Sequence, residues 1–178
     1  MSLAGLLAAV AEDPQLRSVL ADAGAPERDL VAPSSLRPLI VASLASGAAG
    51  GAGRFVLAVT ATAREADDLT AALGSFLPPH SVACFPGWET LPHERLSPRS
   101  DTVGQRIAVL RRLSHPVLPS DDGDNRKDEE GLGGPLKVVV APIRSVLQPI
   151  VAGLGDLEPV RLTEGQDAEP DDVIARLV

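Results

Sequence analysis

The sequence predicts an α/β fold, a parallel sheet with helices packed on both faces, and three observations carry that expectation. Three apolar runs rich in strand formers occur at Phe55 to Ala61, Ser81 to Phe85 and Lys137 to Ile143. The stretches between them are long enough for crossover helices, and one of them places Ala66, Leu69, Leu73 and Phe76 at helical spacing. The runs are continuous rather than alternating, as in strands covered on both faces.

The elements follow in order. Leu3, Leu6, Leu7 and Val10 recur at helical spacing, and Pro14 opens a second segment with Leu16, Val19 and Leu20 before Gly24, so residues 1–28 read as a helical lead-in. The α/β domain spans 29–154. Leu30 to Ala32 reads as its first short strand, followed by a turn at Pro33-Ser34-Ser35 and a helix carrying Leu36, Leu39, Ile40, Val41 and Leu44. Ser46 to Gly53, SGAAGGAG, ends that helix. Thr62-Ala63-Arg64-Glu65 is a capping box: the Thr62 oxygen accepts from the Glu65 amide while Glu65 reaches back. Pro78-Pro79 stops the helix that this box opens. Residues 85–98 are too rich in proline to be regular, and they lead into a helix with Val103, Ile107, Leu110 and Leu113 facing inward. Another helix runs through Val146, Leu147, Ile150 and Val151. Residues 155–178 read as the start of a second, truncated domain, with a strand at 160–163. A final helix opens at Glu169-Pro170-Asp171-Asp172, where proline and acids suit a first turn.

Composition removes several function classes. The chain has 178 residues, 44% of them hydrophobic and 22% charged, which is a globular balance. It lacks both an apolar run of about 18 residues and a basic leader, the first cationic side chain being Arg17, so a cytoplasmic protein without membrane contact is expected. With one Trp, three Phe and no Tyr, it offers no platform for stacking bases, and a net charge of −8 disfavours phosphate backbones. The single Cys84 excludes an intramolecular disulfide and reads as inert strand filler. His80, Cys84, His93 and His115 match no zinc spacing. Residues 119–136 carry six acids and two bases and read as a disordered surface insertion. The acids there do not follow the register of a calcium loop.

A parallel sheet invites a nucleotide, so the phosphate-binding devices matter. A P-loop needs Gly-Lys-Ser/Thr, and neither lysine, Lys127 or Lys137, sits in that context. Gly47, Gly50, Gly51 and Gly53 follow a helix and precede a strand, the reverse of a dinucleotide fingerprint, so they read as a helix-ending loop. Glu89, Glu94 and Asp101 could be imagined as acid–base carboxylates, but no aromatic sugar platform accompanies them. Arg106, Arg111 and Arg112 share one helix and read as a solvated face, with a phosphate or partner contact as the alternative.

One stretch is specific. Phe85-Pro86-Gly87-Trp88-Glu89-Thr90-Leu91-Pro92-His93-Glu94, then Ser97-Pro98, then Asp101 to Arg106 with Val109 to Leu113, closely resembles a signature of bacterial transcription-repair coupling factors. The segment Lys137 to Pro149 resembles the strand and turn that come after this signature in that family. The likeness runs in order over roughly residues 30–178, with the acidic insertion as a departure.

The resemblance implies a RecA-like domain of helicase type and the opening of an inserted partner-binding domain, within a module similar to the repair protein UvrB. Pro33, Ser34, Ser35, Leu36, Arg37 and Pro38 would stand where UvrB-like proteins carry their nucleotide loop, without its glycines and lysine. It implies no catalytic residue, metal or cofactor in this chain, with ATP and magnesium held by motor domains elsewhere in the parent. UvrA would be recruited through the second domain, mostly beyond Val178, and RNA polymerase and DNA through other domains. Trp88, Glu89, Leu91, Pro92, Glu94, Ser97, Pro98, Asp101 and Arg106 would be structural or interdomain residues. Trp88 would anchor its turn on the core, with Arg106 and Asp101 fixing it through charge-assisted bonds. The rival reading is a nucleotide-dependent or DNA-gripping helicase domain in its own right.

Overall fold

The structure is a computed structural model, and it describes residues 3–48, 50–90, 97–116, 135–157, 160, 162, 165 and 167–177. Helices α1 (Ala4–Val10) and α2 (Pro14–Ala21) form the lead-in. The Asp13 carboxylate caps α2 by accepting from the amides of Gln15 and Leu16, with Pro14 in the first turn where its missing N–H costs nothing. A 3-10 turn at Ser34–Leu36 leads into α3 (Arg37–Ala45). Then come β1 (Val56–Thr60), α4 (Ala63–Leu73), β2 (Val82–Cys84), α5 (Ser100–Ser114), β3 (Val138–Pro142), α6 (Ile143–Leu147) and, after a 3-10 turn at Leu154–Asp156, α7 (Pro170–Leu177).

Among the described residues three strands run parallel in the order β1-β3-β2, with Val138 opposite both Val56 and Val82. The central strand is the most apolar, and all five of its residues are buried. Its side chains alternate between two cores. Val138 and Val140 meet Ala42 and Ala45 of α3, Ala66, Leu69 and Leu73 of α4, and Leu7 of α1. Val139 and Ala141 meet Phe85 and Val109 of α5 on the opposite face. The expected parallel sheet with helices on both faces is therefore present, consistent with a RecA-like fold.

Local chemistry explains the joints. Thr62 caps α4 by accepting from the Glu65 amide at 3.2 Å, and Glu65 reaches back to the Ala61 amide at 3.3 Å. The glycine-rich loop closes α3 as expected: the amides of Ala52, Gly53 and Arg54 donate to the carbonyls of Ser43, Ser46 and Leu44. Gly51 is required there, because a Cβ would lie 2.2 Å from the Ser46 carbonyl oxygen and 2.5 Å from that of Ser43.

Four expectations need correction. Leu30 to Ala32 is not a strand; it pairs with nothing in the sheet, and Val31 is fully exposed. Strand β1 is not covered on both faces, since Leu57 and Val59 are about half exposed. In α5 the buried positions are Thr102, Arg106, Val109 and Arg112, while Leu113 is exposed, so the helix is rotated from the stripe its aliphatic residues suggest. Helix α6 ends at Leu147 because Pro149 holds the preceding Gln148 in extended backbone, leaving Ile150 and Val151 outside the helix and exposed. Nearly all of the 119–136 insertion lies outside the described residues, as does part of the strand expected at 160–163.

Candidate functional site

The described part of the signature segment forms a clasp between three parts of the chain. Strand β2 delivers Phe85, whose amide bonds the Val140 carbonyl at 2.8 Å, and the Pro86-Gly87 turn then lifts Trp88 over α5. Arg106 rises from α5 to both rings, its guanidinium carbon 4.2 Å from the Phe85 centroid and 4.3 Å from that of Trp88. A planar cation with weak hydration suits that slot, where a lysine would not. Arg106 also donates to the Pro86 carbonyl at 2.6 Å, and only 2% of the residue is exposed.

The third part is α6 and the residue after it. The Ser145 hydroxyl, fully buried, lies 2.9 Å from the Phe85 carbonyl and 2.8 Å from that of Pro142. Gln148 accepts from the Trp88 amide at 2.7 Å and donates to the Trp88 carbonyl at 3.4 Å. A side-chain amide thus pairs with both backbone groups of one residue, which fixes the turn against β3. Glu89 accepts from the Thr102 hydroxyl at the start of α5. That bond is the main reason its carboxyl sits below the ordinary glutamate value.

Arg106 thus holds the turn by its bond to the Pro86 carbonyl, whereas Asp101 makes no bond to that turn among the described residues. It pairs instead with Arg99 at 2.9 Å on the surface. The three arginines of α5 are not a solvated face. Arg112 is buried and donates to the His80 carbonyl, while Arg111 donates to the Leu157 carbonyl at 2.8 Å. Burial lowers the pKa of both Arg106 and Arg112. Hydropathy patterns pass over such residues, because arginine scores as polar even when its stem and planar head fill a core. Ser97 and Pro98 precede α5, and Leu91, Pro92, His93 and Glu94 lie outside the described residues.

Beside the clasp, at the carboxyl ends of the strands, is a crevice of about 270 Å³ lined by Asp67, Cys84, Arg99, Asp101 and Thr102 among others. Open α/β sheets bind ligands at such ends. Here the lining cation is already held by Asp101. Cys84 lies 3.8 Å from the Asp67 carboxylate, and burial together with that negative charge raises its pKa. The 33–38 loop is a 3-10 turn with Pro38 in the first turn of α3, and Arg37 lies 3.9 Å from Glu65. The described residues include no cluster of metal-ligating side chains and no helix long and apolar enough to cross a membrane.

No family model matches the chain. It is 44% identical over 178 residues, 99% of its length, to the transcription-repair-coupling factor of Mycobacterium bovis, and equally to that of Mycobacterium tuberculosis. The identity bears out the resemblance drawn from the signature segment. The chain spans 13% of the length of those relatives.

Proposed function

We propose that this chain, similar along almost its whole length to one segment of the transcription-repair coupling factors, is a non-catalytic docking module within such a factor. It helps bring UvrA to RNA polymerase stalled at a DNA lesion, while ATP and magnesium are used by motor domains elsewhere in the parent to move along DNA. The contacts with UvrA lie in the second domain that begins after residue 154, and the whole works in the cytoplasm. The domain divisions at 28 and 154 belong to this reading.

The observation that carries it is electrostatic. At the two places where an α/β scaffold of this type would seat phosphates, the cations face carboxylates of the same chain: Arg37 lies beside Glu65, and Arg99 beside Asp101. An entering triphosphate would have to displace a carboxylate of like charge and would gain no P-loop lysine. What remains is a scaffold whose shape and surface do the work.

The rival reading, a domain that grips duplex DNA, finds little support in α5. Arg106, Arg111 and Arg112 are each engaged with a backbone carbonyl, so a phosphate would have to break a protein contact at every one. The test is capture of purified UvrA by the 178-residue chain and by a polypeptide extended through the second domain. Capture by the longer one alone is expected. Failure of both to bind would contradict the proposal.

A further inference from the structure

We infer that the C-terminal turns of α5 are a seat for residues 153–157, which fixes the direction in which the second domain leaves the α/β domain, with Arg111 and His115 as its positioning residues. The inference rests on the reading that a second domain follows, and it moves the start of that domain past Leu157.

The chain that leaves α6 has at first the character of a linker. Residues 149–153, Pro-Ile-Val-Ala-Gly, are all exposed, and such segments ordinarily let the domains they join swing. Contact then returns. Gly153 takes the left-handed region at φ 86°, which turns the chain back, and its carbonyl accepts from the Asp156 amide at 3.0 Å. Leu154 is half-buried, and Gly155 is buried so close to the Leu110 carbonyl and the Ser114 side chain that no Cβ fits between.

Two further side chains of α5 close on the residues that follow. His115 Nε2 lies 3.0 Å from an Asp156 carboxylate oxygen, and Arg111 donates to the Leu157 carbonyl at 2.8 Å. Leu110 and Ser114, like Arg111 and His115, are four residues apart, so all four belong to one strip of the helix. One exposed pair would contribute little. Here backbone packing, a cation on a carbonyl and an imidazole on a carboxylate act on five consecutive residues, so once one contact has formed the others need little further ordering of the chain.

The seat itself is firm. Val109 is in the core against Val139, Arg106 is in the clasp, and Arg112 is bonded to the His80 carbonyl just before β2. A domain rooted at Leu157 therefore inherits the orientation of α5 and, through it, of the sheet.

Pulsed electron-spin resonance tests this. Nitroxides are placed at Asp68→Cys on α4 and Asp171→Cys on α7, both exposed, in a polypeptide extended through the second domain with all other cysteines replaced by serine. A single narrow distance distribution is expected, widening about twofold or more when Arg111→Ala and His115→Ala are combined. In the 178-residue chain the same two substitutions are expected to speed amide exchange at Asp156 about tenfold or more, with Val140 unchanged. Unchanged exchange at Asp156 would remove the two side chains as its seat and overturn the inference. A distribution already broad before substitution would overturn it too, while leaving the second-domain reading in place. A narrow distribution that the substitutions do not widen would overturn it and count against a separate second domain, because other contacts would then hold α7 to the α/β domain. UvrA takes no part in these measurements, so the docking proposal stands or falls apart from them.

Discussion

The Arg106 guanidinium carbon lies 4.3 Å from the centroid of the Trp88 ring and 4.2 Å from that of Phe85. One buried charge thus joins α5 to the turn after β2. Arg106→Ala removes the stack, leaves the Pro86 carbonyl without its donor and opens a cavity. A loss of about 2–4 kcal/mol in urea unfolding is expected. Arg106→Lys keeps the charge but not the planar fork, so a loss of about 1–2 kcal/mol is expected. A fully stable Arg106→Lys protein would mean that the rings contribute only packing.

Ser145 ties α6 to the same turn from the other side. Ser145→Ala deletes a buried donor that the Phe85 and Pro142 carbonyls share. The expected cost is about 1–3 kcal/mol. Ser145→Cys is predicted to fold less stably still, because a larger sulfur, a weaker donor, must enter a fully buried site.

Gly155 lets the chain lie directly on α5. A Cβ there would sit 2.4 Å from the Ser114 hydroxyl and 2.9 Å from the Leu110 carbonyl oxygen. Gly155→Ala is expected to cost about 1–3 kcal/mol. Adding Ser114→Ala recovers only part of it, because the backbone carbonyl cannot move aside. Chemical denaturation of the two variants separates these contributions.

The Glu89 carboxyl titrates below the ordinary glutamate value, chiefly through the Thr102 hydroxyl. Its folded pKa is depressed, so its contribution to stability is present above the unfolded value and is lost as pH falls through the folded one. Carbon-detected NMR titration is expected to show the Glu89 pKa rising toward the ordinary value in Thr102→Val. No change would remove Thr102 as the cause.

Cys84 carries the opposite shift, raised first by burial and then by the Asp67 charge. Slow alkylation at neutral pH is expected, faster in Asp67→Asn and fastest in the unfolded chain. Equal rates for Asp67→Asn and the parent sequence would show that burial alone controls the thiol.

Much of the fold was legible in the sequence, because its local signals agree with its global arrangement. The 62–65 capping box, the Ala66/Leu69/Leu73 stripe and the three apolar runs each specify their element without outside help. Besides the strand expected at Leu30 to Ala32 and the longer α6, three features were not legible, each for a physical reason. The inward face of α5 is built from Thr102, Arg106 and Arg112, whose polarity conceals their burial. Strand β1 has the composition of a strand covered on both faces but only one cover here, and composition records what a surface prefers rather than what lies on it. The clasp depends on Ser145 and Gln148, far from the signature in sequence; nothing local marks a serine or glutamine as the partner of a turn 60 residues away.

The most direct measurement of the central claim is calorimetric titration of the 178-residue chain with ATP in the presence of magnesium. No saturable heat at concentrations on the order of 1 mM is expected, because both candidate phosphate seats hold their arginines against carboxylates. Saturable binding with a dissociation constant on the order of 1 μM, abolished by Arg37→Ala or Arg99→Ala, would contradict it.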